Sequence, residues 1–387
     1  MDPRKTMAES PDDPADPVTA AMQSAVLRGV FPGAVLCVRH RGTTRYARAF
    51  GLAVLTPKPQ PASLDTVYDL ASLTKPLATA TALVCLLQDG RLTLADPLVT
   101  HLPELRGRPL SEVTVAHLLN HASGLPAWQP FYEEIAARDR TSPGFLGSPA
   151  ARDLVLQRIA EAPLAAPPIR QAVYSDLGFI LLGVIAERAA QAPLDRFLDA
   201  RVYAPLTAAP LGFPGRDGAG TVRLAGLSVA QTEDDPWRGR VLCGEVHDEN
   251  AYVIGGVAGH AGLFGTAAAV LALSGCWLNA VQGRESLLPP ELARRFVSRQ
   301  TLVPGSTWGL GWDTPSPPSS SGSRFSSGSF GHLGFTGTSL WVDVERELEV
   351  VLLSNRVHPT RRNDKIREFR PQIHDLVVKE LMAGDKS

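Results

Sequence analysis

The stretch Ser72-Leu73-Thr74-Lys75-Pro76-Leu77-Ala78, which runs on through Leu83-Val84-Cys85-Leu86-Leu87 to Gly90, decides how this chain is read. Leu77, Ala78, Leu83, Val84, Leu86 and Leu87 recur at near-helical spacing and Gly90 stands where the run stops, so a helix is predicted. Pro76 fits only if that helix begins at about Ser72, because the first four backbone N–H groups of a helix have no intrahelical partner. Residues three apart then share a face, and the Ser72 hydroxyl can meet the Lys75 amine. A neutral amine there can take the hydroxyl proton, which a serine nucleophile requires. The helix N-terminus disfavours added positive charge, so the Lys75 pKa is expected to fall toward that neutral form. Of the 38 basic residues only Lys5, Lys58, Lys75, Lys365, Lys379 and Lys386 are lysines, and arginine cannot give up its proton in a protein. Taken alone, Ser-x-x-Lys also describes an N-cap serine beside a solvated lysine.

Two later segments add to the pair. Tyr174-Ser175-Asp176 and His332-Leu333-Gly334 follow in that order, and the three together can assemble one nucleophilic serine site. Tyr174 by itself also fits a core aromatic with a satisfied hydroxyl.

The frame is that of an ordinary globular protein. At 387 residues, with 44% hydrophobic and 20% charged residues, the chain can bury one large core or two smaller ones. A formal charge of −1 gives no general attraction to nucleic acid or anionic lipid, so neither nucleic acid nor a membrane is an expected partner. Cys37, Cys85, Cys243 and Cys276 lie far apart and read as buried free thiols. The N-terminal MDPRKTMAESPDDPADP is polar and proline-rich, with no apolar core of the kind a secretory signal requires, so the expected location is cytoplasmic. Residues 1–14 are expected to be disordered.

Along the chain, a helix is predicted from Asp16 to Leu27. Gly33-Ala34-Val35-Leu36-Cys37-Val38 and Thr43-Thr44-Arg45-Tyr46-Ala47 read as a hairpin about His40-Arg41-Gly42. Helical patterns dominate from Ser72 to about Arg201, over Ala78 to Gln88, Val115 to Asn120, Ala151 to Glu161, Leu177 to Ala189 and Leu194 to Arg201. Strand signals return at Thr338 to Asp343 and Leu348 to Leu353, and a helix from about Ile366 to Met382 closes the chain. Strands at both ends with helices between them predict an α+β fold, an antiparallel sheet flanked by helices with a mostly helical domain inserted between the terminal strands. The expected division is 15–71 with 245–387 as the α/β domain and 72–244 as the helical one, with the site in the cleft between them. Pro315 to Gly328 is low-complexity and expected to be a mobile loop.

The chain resembles the penicillin-binding-protein and β-lactamase superfamily, in the branch with class C β-lactamases, D,D-peptidases and related esterases. The resemblance spans roughly Val30 to Val378. It rests on the three motifs, on the stretch Val115-Ala116-His117-Leu118-Leu119-Asn120-His121-Ala122-Ser123-Gly124-Leu125 and on Gly259-His260-Ala261-Gly262-Leu263-Phe264-Gly265-Thr266-Ala267. Glu245-Val246-His247-Asp248-Glu249-Asn250-Ala251-Tyr252 and Asn355-Arg356-Val357-His358-Pro359 resemble the sub-branch with exo-acting N-acetylmuramyl-L-alanine amidases of cell-wall recycling and a related penicillin-binding protein.

That resemblance implies roles. Ser72 would attack the substrate carbonyl and carry the acyl group. Lys75 would hold or take its proton, and Tyr174, as a phenolate stabilised by the nearby cation, would shuttle a proton to the leaving group. The N–H groups of Ser72 and Phe335 would form the oxyanion hole, the second on a strand beginning after Gly334. Gly334 is expected because a side chain would crowd the substrate there. Asp176 and His332 would contact substrate, and both depart from the usual pattern. Many relatives have Asn at the first position, and an ionised carboxylate cannot donate to a substrate carbonyl; it would also raise the Lys75 pKa. Many have Lys or Arg at the second, where neutral imidazole is a weaker partner for a carboxylate. Both argue against efficient β-lactam hydrolysis.

The expected activity is therefore serine hydrolysis of a small ester, amide or muropeptide, with no cofactor and no metal. The alternatives are a β-lactamase or D,D-carboxypeptidase, or a penicillin-binding sensor with little turnover. A metal-dependent hydrolase is a distant third: His247, Asp248, His260 and His332 match no ligand signature. His117 and His121 sit four apart, as on one helical face, but the resemblance makes them structural.

Overall fold

The computed structural model describes residues 16–384; residues 1–14, expected to be disordered, lie outside the described residues. Strands β1 (Gly33–His40), β2 (Thr43–Val54) and the short β3 (Gln60–Pro61) come from the start of the chain, and β4 (Phe330–Leu333), β5 (Ser339–Asp343) and β6 (Leu348–Ser354) from its end. They form one antiparallel sheet in the order β3-β2-β1-β6-β5-β4. The first and last thirds of the chain meet where β1 runs against β6, with Ala34 opposite Ser354 and Val38 opposite Val350.

The longer helices that matter below are α1 (Pro17–Leu27), α2 (Thr81–Gln88), α3 (Asp176–Ala190), α4 (Ala267–Val281) and α5 (Ile366–Gly384). Side chains alternate across a strand, so β1 sends Ala34, Leu36 and Val38 to one face and Val35 and Cys37 to the other. The first set joins Val350 and Leu352 of β6 in a core under α1 and α5, through Met22, Ile366 and Phe369. The second set joins Val351 and Leu353 in the larger core, with Leu273 and Trp277 of α4 and the helical region between the strands. A sheet covered on both faces explains why Ala34 to Val38 of β1 and Val350 to Leu353 of β6 read as continuous apolar runs.

The helix around Ser72 begins where Pro76 requires. A 3₁₀ turn over Ala71–Leu73 leads into a π-helical stretch over Lys75–Ala80 and then into α2. Pro76 is the second residue of the wide stretch, where its missing N–H leaves no gap in the ladder, and its carbonyl accepts from Thr81 Oγ1 at 2.9 Å. Such a wide turn inside a helix is a recurrent feature of functional sites.

Three expectations change. The third motif lies at the end of β4, not before a strand: Gly334 to Thr338 is a turn, closed by Gly334 N–H donating to Thr338 O at 2.7 Å and by Gly337 at φ 115°. Within Pro315 to Gly328, read as a mobile loop, residues 323–326 are hydrogen-bonded to the body of the fold. Asp375 on α5 accepts from the N–H groups of Ser323 and Arg324, Asp343 accepts from Ser326, and Phe325 is buried under the sheet. Cys37, Cys85 and Cys276 are buried free thiols, whereas Cys243 is exposed. Among the described residues no single helix is long and apolar enough to cross a membrane.

Candidate active site

Ser72 sits directly after a strained residue. Ala71 has φ 48°, a left-handed backbone that costs a non-glycine residue roughly 1 kcal/mol or more. Asp69 holds it there: one carboxylate oxygen accepts from Ala71 N–H at 2.8 Å, the other from His247 N–H at 2.7 Å. The Asp69 carboxyl is buried, which raises its pKa against those two donors. The same segment is tied to the turn after β4, since Thr336 Oγ1 donates to Asp69 O and Thr338 Oγ1 to Leu70 O. Asp69 is a positioning residue that sequence reading missed; its only trace is one acid inside the apolar run Val67-Tyr68-Asp69-Leu70-Ala71.

Lys75 is fully buried, with two hydrogen bonds from its ammonium and a carboxylate in contact. Its Nζ donates to Ser72 Oγ at 3.0 Å and to His260 O at 3.1 Å, and lies 2.6 Å from Asp176 Oδ1. The His260 carbonyl comes this close because Gly259 packs against α3, where an added Cβ would lie 2.1 Å from Phe179 O. Burial is the largest single influence on Lys75 and lowers its pKa, but Asp176 and Tyr174 together outweigh it and the net shift is upward. The expected fall is thus reversed. A carboxylate in contact is a stronger field than the partial charge of a helix end.

Tyr174 closes the group. Burial raises its phenol above the ordinary value, while Lys75 and hydrogen bonding from Ser72 act the other way without winning. The resting group is therefore a phenol, not the phenolate the resemblance implies. The second motif is fixed from outside by His121, which has φ 56° and lies beyond the short helix Val115–Leu119. His117 and His121 accordingly do not share a helical face. His117 caps that helix against Thr114, while His121 Nδ1 accepts from Ser175 N–H at 3.1 Å and its ring packs 4.8 Å from that of Tyr174. Trp308, which no motif marks, packs against His121, Tyr174 and His332 at ring distances of 4.6, 5.5 and 5.8 Å.

On the far side of Ser72, His332 Nδ1–H donates to Leu333 O at 2.7 Å, which leaves Nε2 a buried acceptor without a partner. Burial, with Lys75 adding repulsion, brings its pKa down to about 3, so the imidazole is neutral. Gly334 is required by the protein itself: a Cβ there would lie 1.9 Å from Thr338 Oγ1 and 2.6 Å from Leu70 O. Phe335 follows in the turn, and among the described residues its N–H makes no hydrogen bond while its carbonyl accepts from Arg356 Nε at 2.8 Å.

Two cavities open on Ser72 and Tyr174. One, of about 390 Å³, is lined by Asp176, Asp248, Glu249 and Arg361; the other, of about 630 Å³, by His332, Asp313, Arg356, Arg367 and Arg370. The first has three carboxylates to one guanidinium and the second three guanidiniums to one carboxylate. Among the described residues neither Arg356 nor Arg370 has a carboxylate partner. Their N–H groups go to backbone carbonyls, and Arg370 Nε is buried without a partner.

The remaining candidates separate. His247 Nε2 pairs with Glu233 at 2.9 Å and His260 Nε2 with Asp248 at 2.9 Å. Among the described residues no group of three or more His, Cys, Asp or Glu side chains is placed to hold a metal ion.

The chain is similar to known proteins over nearly its whole length. A family model described as Beta-lactamase matches residues 15–374. An N-acetylmuramyl-L-alanine amidase of Bacillus subtilis (strain 168) is 32% identical over 352 residues, 85% of this chain and 78% of that one. Among solved structures, EstCE1, a hydrolase with promiscuous acyltransferase activity, has TM-score 0.67 at 24% identity, covering 92% of this chain and 97% of its own. The octameric penicillin-binding protein homologue from Pyrococcus abyssi has TM-score 0.70 at 21% identity, covering 95% and 77%. These two show the shared fold.

Proposed function

The chain belongs to the β-lactamase family of serine hydrolases, and from that premise we propose that it cleaves an amide by way of an acyl-enzyme on Ser72. The observation that carries this is the buried Lys75 Nζ at 3.0 Å from Ser72 Oγ. Loss of one proton from the coupled Lys75 and Tyr174 pair makes the site basic. Ser72 Oγ gives its proton to that pair as it attacks the carbonyl carbon. The oxygen of the tetrahedral adduct lies between the N–H groups of Ser72 and Phe335, both without backbone partners at a helix start and in a turn. Tyr174 then protonates the leaving nitrogen and the C–N bond breaks. Water repeats the sequence on the Ser72 ester and frees the acid.

For the substrate we propose a muropeptide, cut between the lactyl carbonyl of the sugar and the first amino group of the peptide. The Bacillus relative supports this by its name. The chemistry supports it too, because the peptide half is anionic and the cavity of Arg356, Arg367 and Arg370 supplies the cation that His332 does not. The Asp176 side chain has no amide N–H to donate to a β-lactam side-chain carbonyl. The test is mass spectrometry of defined muropeptides after incubation with wild type and Ser72→Ala. Release of free peptide amine by wild type alone is the expected result. Intact muropeptide, with a small ester still turned over, would make the protein an esterase of the same mechanism.

A further inference from the structure

Only two aromatic side chains among the described residues stand exposed, Trp128 at 42% and Phe335 at 47%, and both line the 390 Å³ cavity beside Ser72. Water-exposed rings at a reaction centre cost apolar hydration that a ligand can recover. The Phe335 ring is already held between two neighbours, stacked on His247 at 5.6 Å and with the Arg356 guanidinium 4.5 Å from its centre. Its exposed part is a wall. Trp128 is different, since its one ring contact among the described residues is tilted Tyr132 at 6.3 Å. Its loop is nevertheless fixed. Ala127 O accepts from Asp176 N–H at 2.9 Å, Pro126 O from Ser175 Oγ at 2.7 Å, and Gln129 O from Asn250 Nδ2 at 2.8 Å. A plate held by the second motif and left open to solvent is preorganised for a ligand.

The polar lining narrows what that ligand is. The three carboxylates disfavour an anionic group and can accept from hydroxyl and amide donors, and two of them already face cations, Glu249 accepting from Arg361 and Asp176 lying against Lys75, each at 2.6 Å. Asp248 uses Oδ1 for Ala251 N–H and His260 Nε2, and no described residue donates to its Oδ2. His260 Nδ1, buried in the same wall, has no partner. An uncharged ring with apolar C–H faces and hydroxyls on its rim matches both features, whereas a fatty acyl chain would offer no partner to Asp248 Oδ2 or His260 Nδ1.

We propose that the cavity between Trp128 and Phe335 is a sugar subsite that stacks the pyranose ring of the acyl half on the Trp128 indole, opposite the arginine cavity that takes the anionic half. This deepens the amidase reading and rests on it. The cavity volume suits one such ring, within the range of small-ligand sites.

The test compares N-acetylmuramyl-L-alanyl-D-isoglutamine with D-lactoyl-L-alanyl-D-isoglutamine, which share the scissile amide and differ only by the sugar. The ratio of kcat/KM for the two is expected to be about tenfold or more in wild type, to collapse toward unity in Trp128→Ala and to be largely restored in Trp128→Phe. Binding is measured in parallel by titrating Ser72→Ala, with and without Trp128→Ala, with N-acetylmuramyl-L-alanine and lactoyl-L-alanine. Equal affinity for the two ligands overturns the sugar subsite whatever the turnover result. Sugar-dependent binding that Trp128→Ala abolishes, with no cleavage by wild type, overturns the amidase reading and leaves the subsite standing. A p-nitrophenyl ester with a long acyl chain that is cleaved better than the muropeptide, with that preference lost in Trp128→Ala, assigns the cavity to lipid and also overturns the proposal.

Discussion

Lys75 and His332 lie on the two sides of Ser72, and both are buried from solvent. Desolvation is the largest influence on each and pushes both pKa values down. The lysine nevertheless ends above its ordinary value and the histidine near 3. The difference is the neighbour. Lys75 has the Asp176 carboxylate at 2.6 Å, while His332 faces the charges of Lys75 and Arg370 and gives its one proton to a backbone carbonyl. For two buried bases in one cleft the partner, not the burial, decides which is charged. The outcome is a cleft with one stored proton on the nucleophile's side and none on the other.

The largest expected effect comes from removing that side. Ser72→Ala is expected to lower kcat/KM by about a thousandfold or more, with the thermal midpoint nearly unchanged, because the residue acts as a unit with its base. Lys75→Arg keeps the charge beside Asp176 but cannot release a proton, so a comparable loss is expected. Intact-protein mass spectrometry should show no acyl adduct on either variant; an adduct on Lys75→Arg would move the base role to Tyr174 alone.

Asp176→Asn separates the two bases more finely. Without the carboxylate the Lys75 and Tyr174 pair loses its proton more easily, so the limb along which kcat/KM rises with pH should move down by about one unit or more. Stability should suffer less than in a rigid buried ion pair, since the lysine can discharge instead of staying charged and alone. A limb that stays in place would mean Asp176 does not set the proton affinity of the site.

Much of this cleft was legible in the sequence, and what was not has a physical pattern. The hairpin, the late strands and the helix over Ser72 announce themselves by period, because one or two faces of each are buried. Ser72, Lys75, Tyr174 and His332 meet because each lies in a short motif. Trp308 and Arg370 carry no such mark: they reach the site through the approach of segments far apart in sequence, which no local spacing encodes, and Asp69, although next to Ser72 in the chain, shows its role only through the distant His247 N–H it also accepts from. The sequence names both influences on Lys75, the helix end and Asp176, but not their balance, for the same reason. The helix end is local and readable, whereas the weight of Asp176 depends on a 2.6 Å contact across a hundred residues of chain.

The smallest effect tests the other half of the comparison through stability alone. His332 is held near pKa 3 when folded, against about 6.5 for an unperturbed histidine. Between those values the unfolded chain binds a proton that the folded one does not, so the contribution is complete above about pH 6.5 and is lost as pH falls toward 3. His374, buried against Arg370 and held near 4, acts in the same direction. Each removes up to about 1.4 kcal/mol of stability per pH unit within its window. In His332→Gln, which keeps a donor and an acceptor but cannot charge, urea unfolding at pH 7 and pH 4.5 should differ by about 2 to 3 kcal/mol less than in wild type. His374 should still supply part of the acid sensitivity. An unchanged difference would show that His332 takes up its proton without unfolding, and the contrast with Lys75 would then fail at its neutral end.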